Sequence, residues 1–147
     1  MQSKFLSAEE AVALVPDDAT LAITGGGGGL CEAMCLQEAI EKRFLHTGHP
    51  RNLTLVHALG IGNRKGTGVG RFAHAGMVRK VIGGHWVWSP KMQEMAANNE
   101  IEAHVLPGGV PGPVTKRIMA AFSELVGMDY VAQYLQFASN GPVSAGL

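Results

Sequence analysis

The sequence predicts an α/β fold, a parallel sheet with helices on both faces in three layers. The first observation is the order of its patterns: short apolar runs, typical of buried strands, alternate with segments that carry helix signals. Such alternation favours a parallel sheet. The second observation is that each apolar run ends in small residues, most clearly the five consecutive glycines at 25–29. Ligands of open parallel sheets bind outside the carboxyl ends of the strands, so these segments mark the candidate site.

The first part of the chain carries two helix signals and two strand signals. Ser7 and Glu10 form the Ser-x-x-Glu pattern of a capping box, which predicts a helix that ends before Pro16. An apolar strand is predicted at residues 20–24, and a helix from 30 to about 46 in which apolar side chains recur at helical spacing. After an interruption around Pro50, residues 53–58 indicate a second buried strand.

The next part continues the alternation. Residues 78–83 predict a third short strand. Ser89 followed by Pro90 is typical of a helix cap and a first helical residue, so a helix is expected to begin there. Residues 101–106 alternate apolar with polar side chains, which indicates a strand exposed on one face.

Composition limits the classes of protein to consider. The 147 residues carry a formal net charge of +0 and no basic block, which argues against nucleic-acid binding. The apolar runs are far shorter than the roughly 20 residues that cross a bilayer, and no apolar signal segment follows Met1. We therefore expect a cytoplasmic protein without membrane contact. Cys31 and Cys35 fall four residues apart on one predicted helix, a spacing that suits reduced thiols better than a disulfide.

The glycine run at 25–29 is the most informative motif. Glycine lacks a Cβ, so the backbone can adopt positive φ and a ligand can approach the main chain closely. A helix that begins directly after the run would add unpaired N–H groups with partial positive charge. A strand, glycine loop and helix in this order indicate a site for a phosphate, a carboxylate or a developing oxyanion. A tight turn with no ligand is the structural alternative.

Glycines follow every predicted strand, and this convergence is a stronger signal than any one loop. If the strands are parallel, the four segments meet at one edge of the sheet. The purely structural alternative, glycines that only permit tight turns, stays open. The candidate binding residues are Gly26, Gly27, Gly28, Gly60, Gly62, Gly84, His85, Gly108 and Gly109.

Three familiar kinds of site are disfavoured. A dinucleotide-binding loop would have Gly-x-Gly-x-x-Gly and an acidic residue after the second strand, but Leu30 occupies the third glycine position and no carboxylate follows His57 closely. A P-loop would need Gly-Lys-Ser or Gly-Lys-Thr after the glycines. The histidines and cysteines have no spacing typical of a zinc module, so we expect no metal.

Five motifs follow one another in order and with regular spacing, at residues 17–29, 50–53, 60–64, 83–90 and 106–110. Taken together, they resemble the family I coenzyme A transferases, in the branch of acetate, propionate and 3-keto-acid enzymes whose two halves are fused in one chain. The better-known form of the first motif has Gly-Gly-Phe and a later proline, where this chain has Gly27 and Ala33, and this difference favours the fused branch. The resemblance covers about residues 4–110 and implies the three-layer fold of CoA transferases and related isomerases.

The resemblance implies a function and a mechanism. An acyl-CoA and a small carboxylic acid would be the substrates, coenzyme A would be bound as a thioester substrate, and no cofactor would be held permanently. A glutamate carboxylate would form covalent intermediates, and the amides of Gly26, Gly27 and Gly28 would stabilise the oxyanions. In the family this glutamate lies in a Glu-x-Gly motif in the second half. No Glu-x-Gly occurs in this chain, so no nucleophile is predicted here.

The resemblance also divides the chain. Residues 1–112 correspond to an incomplete amino-terminal domain, and residues 113–147 form a helical tail without a family counterpart. We therefore expect a truncated or rearranged amino-terminal piece that is inactive alone and associates with itself or with a complementing half. The alternative is a non-catalytic phosphate- or anion-binding module, or a degenerate one, because related folds include sugar-phosphate isomerases and effector-sensing domains. An isomerase would need a carboxylate base near the loops, where only Glu32 and Glu94 are found, both in predicted helices.

Overall fold

The computed structural model describes residues 5–57 and 60–105. Ala58, Gly108, Gly109, the boundary near residue 112 and the predicted helical tail lie outside the described residues. The described elements are, in chain order, α1 (Ala8–Ala13), β1 (Thr20–Ala22), α2 (Met34–Thr47), β2 (Leu53–His57), a 3₁₀ helix (Gly68–Phe72), β3 (Val78–Gly83), α3 (Pro90–Ala97) and β4 (Glu102–Val105).

The four strands form one parallel sheet in the order β1-β2-β3-β4, which confirms the predicted α/β class. Leu21 pairs with Leu55, and Leu55 pairs with Val81, so the carboxyl ends of the strands lie along one edge. Connections of the usual right hand place α2, the 3₁₀ helix and α3 on one face of such a sheet. Contacts between α1 and α2, α2 and the 3₁₀ helix, and the 3₁₀ helix and α3 agree with a single layer in the described part.

The central strands provide the core. Leu53 and Leu55 of β2 are fully buried, and Val81 of β3 and Phe72 of the 3₁₀ helix are almost so. Burial of each such side chain contributes about 1.5–3 kcal/mol, which anchors the strand whose carboxyl end leads into the site. The predicted bounds of β3 are confirmed, and β2 is confirmed over its described residues.

Helix α1 begins as predicted. The Glu10 amide donates to Ser7 Oγ at 3.1 Å and the Ser7 amide donates to Glu10 Oε2 at 2.8 Å, so both halves of the capping box are formed. At the other end, Arg43 Nη1 of α2 donates to the carbonyls of Val12 at 2.6 Å and Val15 at 2.7 Å. Arg43 thereby attaches the carboxyl end of α1 and the residues just after it to α2.

Two predictions about the segment after β1 are wrong. Helix α2 begins at Met34, not at residue 30, and Cys31 lies before it with a φ of 55°. The apolar spacing belongs to α2, but the first predicted residues belong to a turn, in which the Gly26 amide donates to the Leu30 carbonyl at 2.7 Å. Residues 30–33 therefore separate the glycine run from the start of α2. The two cysteines do not share a helix, and both are free and exposed.

The last described strand also differs from its prediction. All four residues of β4 are exposed, whereas alternation predicted one buried face. The buried apolar residue is Ile101, which directly precedes the strand. Within the described ranges, no helix has the length and apolar character needed to cross a membrane.

Candidate active site

The glycine run forms a compact turn. The Gly26 and Leu30 main chains pair as an antiparallel bridge, which folds residues 26–30 back on themselves. Gly28 and Gly29 have φ values of +82° and +83°, a backbone conformation that costs other L-residues about 1–2 kcal/mol. Gly28 is exposed, and a Cβ built there would meet no atom within 4 Å. Gly28 is thus the residue of this run that an approaching ligand can reach most openly.

The first two glycine loops are joined. Gly27 and Gly62 form a parallel bridge, so the segment after β1 and the segment after β2 lie side by side. The indole of Trp88 packs on the Cα of Gly27, in the space that a Cβ would occupy. A Cβ at Gly62 would lie 2.6 Å from the Trp88 carbonyl oxygen. The residues that follow β3 therefore cover both loops, and three of the four predicted segments meet.

Histidine rings pack on two further glycines. The imidazole of His85 lies against Gly60, and that of the buried His57 lies against Gly83, each where a Cβ would stand. Glycine at position 60 is thus required by the packing of an exposed histidine, a reason that was not foreseen from the sequence. Gly84 lies between Gly83 and His85 in the sequence and is half-buried.

Glu32 occupies a position that the sequence did not predict. It lies in the turn before α2 and not within a helix. Its Oε1 accepts from the Gly62 amide at 2.7 Å, and its Oε2 accepts from the Val69 amide at 3.0 Å and from Gln37 Nε2 at 3.3 Å. The only local signal was an acidic residue close to a glycine run. Its main-chain partners are 30 and 37 residues away and could not be read from spacing.

Arg64 adds a positive charge beside the loops. Its guanidinium lies 5.3 Å from the centroid of the Trp88 ring, a cation–π arrangement. Its amide donates to the Trp88 carbonyl at 2.9 Å and its Nε to the Val87 carbonyl at 3.2 Å. The side chain is exposed, so two contacts of the guanidinium hold an accessible cation in place, and the amide fixes the backbone beside it, which has a φ of 63°. Lys65, the next residue, is exposed as well.

A small apolar cavity of about 230 Å³ lies beneath the start of α2, between α1, β1 and α2. Thr24 and Ala33 line it near the glycine turn. Gln37 also lines it and is 4% exposed; its Oε1 has no hydrogen-bond partner among the described residues.

As for metals, residues 5–57 and 60–105 contain no group of three or more His, Cys, Asp or Glu side chains placed to hold an ion.

These features define the class of the site: joined glycine loops at the carboxyl edge of a parallel sheet, a main-chain environment with neighbouring cations. Acetate CoA-transferase YdiF of Escherichia coli strain K12 is 39% identical over 123 residues, 84% of this chain and 23% of that protein. Caffeate CoA-transferase of Acetobacterium woodii is 32% identical over 133 residues, 82% of this chain and 25% of that protein. No family model matches the chain.

A solved structure agrees with these relatives. The crystal structure of the acyl-CoA transferase YdiF from E. coli O157:H7, as a thioester complex with CoA, superposes with a TM-score of 0.74 at 38% identity, covering 78% of this chain and 22% of that one. The chain thus spans about a quarter of the length of the relatives it matches. Over most of its length the chain is thus similar to a part of these CoA-transferases.

Proposed function

We propose that this chain supplies the amide-donor part of an active site that transfers coenzyme A from an acyl-CoA to a carboxylic acid. The observation that carries the proposal is the Gly27–Gly62 bridge, which joins two glycine loops at the carboxyl edge of the sheet in a chain 39% identical to an acetate CoA-transferase. The crystal structure of a relative as a thioester complex with CoA supports coenzyme A thioesters as the ligands.

The chemistry is a series of acyl substitutions. A glutamate carboxylate attacks the thioester carbonyl, and the C–S bond breaks. The CoA thiolate departs, and an acyl-glutamyl anhydride is formed. The thiolate then attacks the glutamyl carbonyl, which releases the first carboxylate and leaves a glutamyl-CoA thioester. The same two steps in reverse pass CoA to the second acid. Each attack creates an oxyanion, and each well-placed amide donor contributes a few kcal/mol to its stabilisation.

The contacts of the candidate residues divide them by role. The Gly26 amide already donates to Leu30 and the Gly62 amide to Glu32, so these two shape the site rather than face a ligand. We assign the donor role to Gly27 and Gly28, of which Gly28 is the open one. His85 lies against Gly60 as part of the rim, and Gly84 directly precedes His85 in the sequence. Gly108 and Gly109 keep their predicted role as binding residues.

The nucleophile belongs to another polypeptide segment in this proposal, because no Glu-x-Gly occurs in the 147 residues. A complementing half or a second copy would cover the exposed loops, and the location would be the cytoplasm. The acyl group derives from a small carboxylic acid, and the acceptor is an acid of the same class. The exposed Arg64 and Lys65 give the anionic phosphates of coenzyme A an attractive approach to the loops.

The experiment is an NMR titration of the ¹⁵N-labelled chain with acetyl-CoA, with coenzyme A and with inorganic phosphate. We expect acetyl-CoA to shift the amides of Gly27 and Gly28 in a saturable way, and to leave that of Gly76, which lies at the amino end of β3, unmoved. Equal shifts at Gly27 and Gly28 from phosphate alone would instead favour an anion-binding module. The absence of any shift with acetyl-CoA would contradict the proposed function.

A further inference from the structure

We propose that Glu32 is a positioning residue whose carboxylate holds the two glycine loops at a fixed distance from each other. We call the hydrogen bonds that Glu32 accepts from Gly62, Val69 and Gln37 the clamp. The clamp is inferred from these contacts alone, whereas its role in placing the Gly27 and Gly28 amides rests on the proposed function.

The carboxylate is fully engaged by separate parts of the chain. One oxygen accepts from the Gly62 amide at 2.7 Å, in the segment after β2. The other accepts from the Val69 amide at 3.0 Å, within the 3₁₀ helix, and from Gln37 Nε2 at 3.3 Å. Hydrogen bonds to an ionised carboxylate are shorter and stronger than those between neutral groups. Glu32 thus connects the turn before α2 to both ends of the loop that follows β2, at Gly62 and at Val69.

The surrounding backbone leaves space for this side chain. At Gly68 a Cβ would collide with Glu32 Oε2, and at Gly25 a Cβ would lie 2.5 Å from Glu32 Cγ. Gly68 also has a φ of +60°. Two glycines therefore border the carboxylate where any other residue would displace it. This accounts for glycines that a ligand-facing role does not explain.

The clamp acts on the proposed donors through one intermediate residue. Glu32 binds Gly62, Gly62 pairs with Gly27, and Gly28 is the next residue. A change at Glu32 is therefore transmitted to the donor amides without contact between Glu32 and a ligand. Since both of its oxygens accept main-chain hydrogen bonds, Glu32 is also poorly placed to serve as the nucleophile.

The test compares Glu32→Gln with Glu41→Gln in the full 147-residue chain. A glutamine has one acceptor oxygen, and its NH₂ group would face a main-chain N–H, so one of the two amide bonds must be lost. Glu41→Gln is a matched control, because Glu41 is also partly buried and its substitution removes the same charge. Glu41, however, accepts from the side chains of Arg71 and His74 and not from main-chain amides. Glu32→Ala is the second variant, which removes both acceptors.

The main readout is amide hydrogen exchange. We expect exchange at Gly62 or Val69 to accelerate at least tenfold in Glu32→Gln and at both in Glu32→Ala, with exchange at Val81 in β3 changed less than twofold. Unchanged exchange at Gly62 and Val69 in both variants would overturn the clamp. If Glu32→Ala does not fold, Glu32→Gln alone decides the outcome.

A second readout links the clamp to the ligand. We expect Glu32→Gln to weaken the acetyl-CoA shifts of Gly27 and Gly28 at least fivefold in apparent affinity, and Glu41→Gln to change them less than twofold at a similar loss of thermal stability. Equal affinity in the two variants would overturn the positioning role. An unmodified chain that does not respond to acetyl-CoA would instead contradict the proposed function, and the exchange results would still decide the clamp.

Discussion

At the residue scale, neighbouring glycines of one loop have different reasons to be glycine. Gly27 lies beneath the Trp88 indole, whereas Gly28 faces open space with a φ of +82°. A valine at 27 would displace Trp88 and obstruct a ligand at the same time, so its effect would have two causes. Position 28 separates a ligand-facing role from a packing role, because nothing in the described structure occupies the space beside it.

The first prediction therefore compares Gly28→Ala with Gly76→Ala. Gly76 has a φ of +79° and equally open surroundings, and its carbonyl accepts from Asn52 at the opposite edge of the sheet. Both variants should lose about 1–2 kcal/mol of stability, since alanine is strained at positive φ. Only Gly28→Ala should weaken acetyl-CoA binding, by at least fivefold. Thermal denaturation and NMR titration measure the two effects, and equal binding by both variants would remove Gly28 from the site.

The second prediction concerns Asp17, which lies before β1. The hydrogen bond from the His49 imidazole, at 2.8 Å, and that from the Arg51 amide, at 2.9 Å, hold the pKa of Asp17 below its usual value of 3.8. The folded state thus favours the ionised carboxylate. The resulting stability is present above the unfolded-state pKa and is lost as the pH falls through the lower folded-state pKa.

Carboxyl ¹³C NMR measures this pKa directly. His49→Ala should raise the pKa of Asp17 toward 3.8, because the largest cause of its lowering is removed. Glu38 is the internal reference: its pKa is lowered by the ion pair with Lys42, at 2.8 Å, and should not change. An unchanged Asp17 pKa in His49→Ala would show that the histidine does not cause the shift.

At the element scale, two serines begin helices but have different functions. Ser7 caps α1 in the expected way, by accepting from the Glu10 amide. Ser89 precedes Pro90 of α3 but its hydroxyl donates to the Ile61 carbonyl at 3.2 Å, which attaches the start of α3 to the second glycine loop. The motif at 89–90 predicted the helix start correctly, and the contact with the loop is a tertiary feature.

The third prediction follows from this difference. Ser7→Ala should cost about 1 kcal/mol by loss of a helix cap and accelerate amide exchange in α1 alone. Ser89→Ala should leave α1 unaffected and accelerate exchange at Gly62, because it removes the attachment of the loop at Ile61. Hydrogen exchange of both variants distinguishes the two effects, and faster exchange in α1 from Ser89→Ala would contradict this assignment.

The elements also show what could be read from the sequence. The capping box, β3 and the start of α3 depend on residues within a few positions of one another, and all three predictions are confirmed. The start of α2 was predicted wrongly because the Gly26–Leu30 hydrogen bond competes with helical spacing. The contacts of Glu32 with main-chain amides span 30 and 37 residues, so only the folded chain brings these groups together. The oxyanion role of the loop remains a prediction.

At the scale of the whole molecule, the proposed function places amide donors in the described part and the nucleophilic carboxylate elsewhere. Glu32 is the carboxylate nearest to the joined loops in sequence, and its oxygens are occupied by main-chain amides. Amide donors stabilise charge that another group must generate. In the proposed function, we therefore expect the nucleophilic carboxylate to come from outside the described residues 5–57 and 60–105.

The last prediction is that the purified 147-residue chain does not exchange CoA between acetyl-CoA and propionate. A covalent glutamyl-CoA intermediate would need a nucleophilic glutamate, and the chain has no Glu-x-Gly to provide the one the family uses. The assay follows propionyl-CoA by liquid chromatography, and borohydride treatment followed by mass spectrometry searches for a reduced glutamate. An active CoA transferase, assayed in parallel, controls for both steps. Formation of propionyl-CoA together with a modified glutamate would contradict the prediction, and the position of that glutamate would identify the nucleophile in this chain.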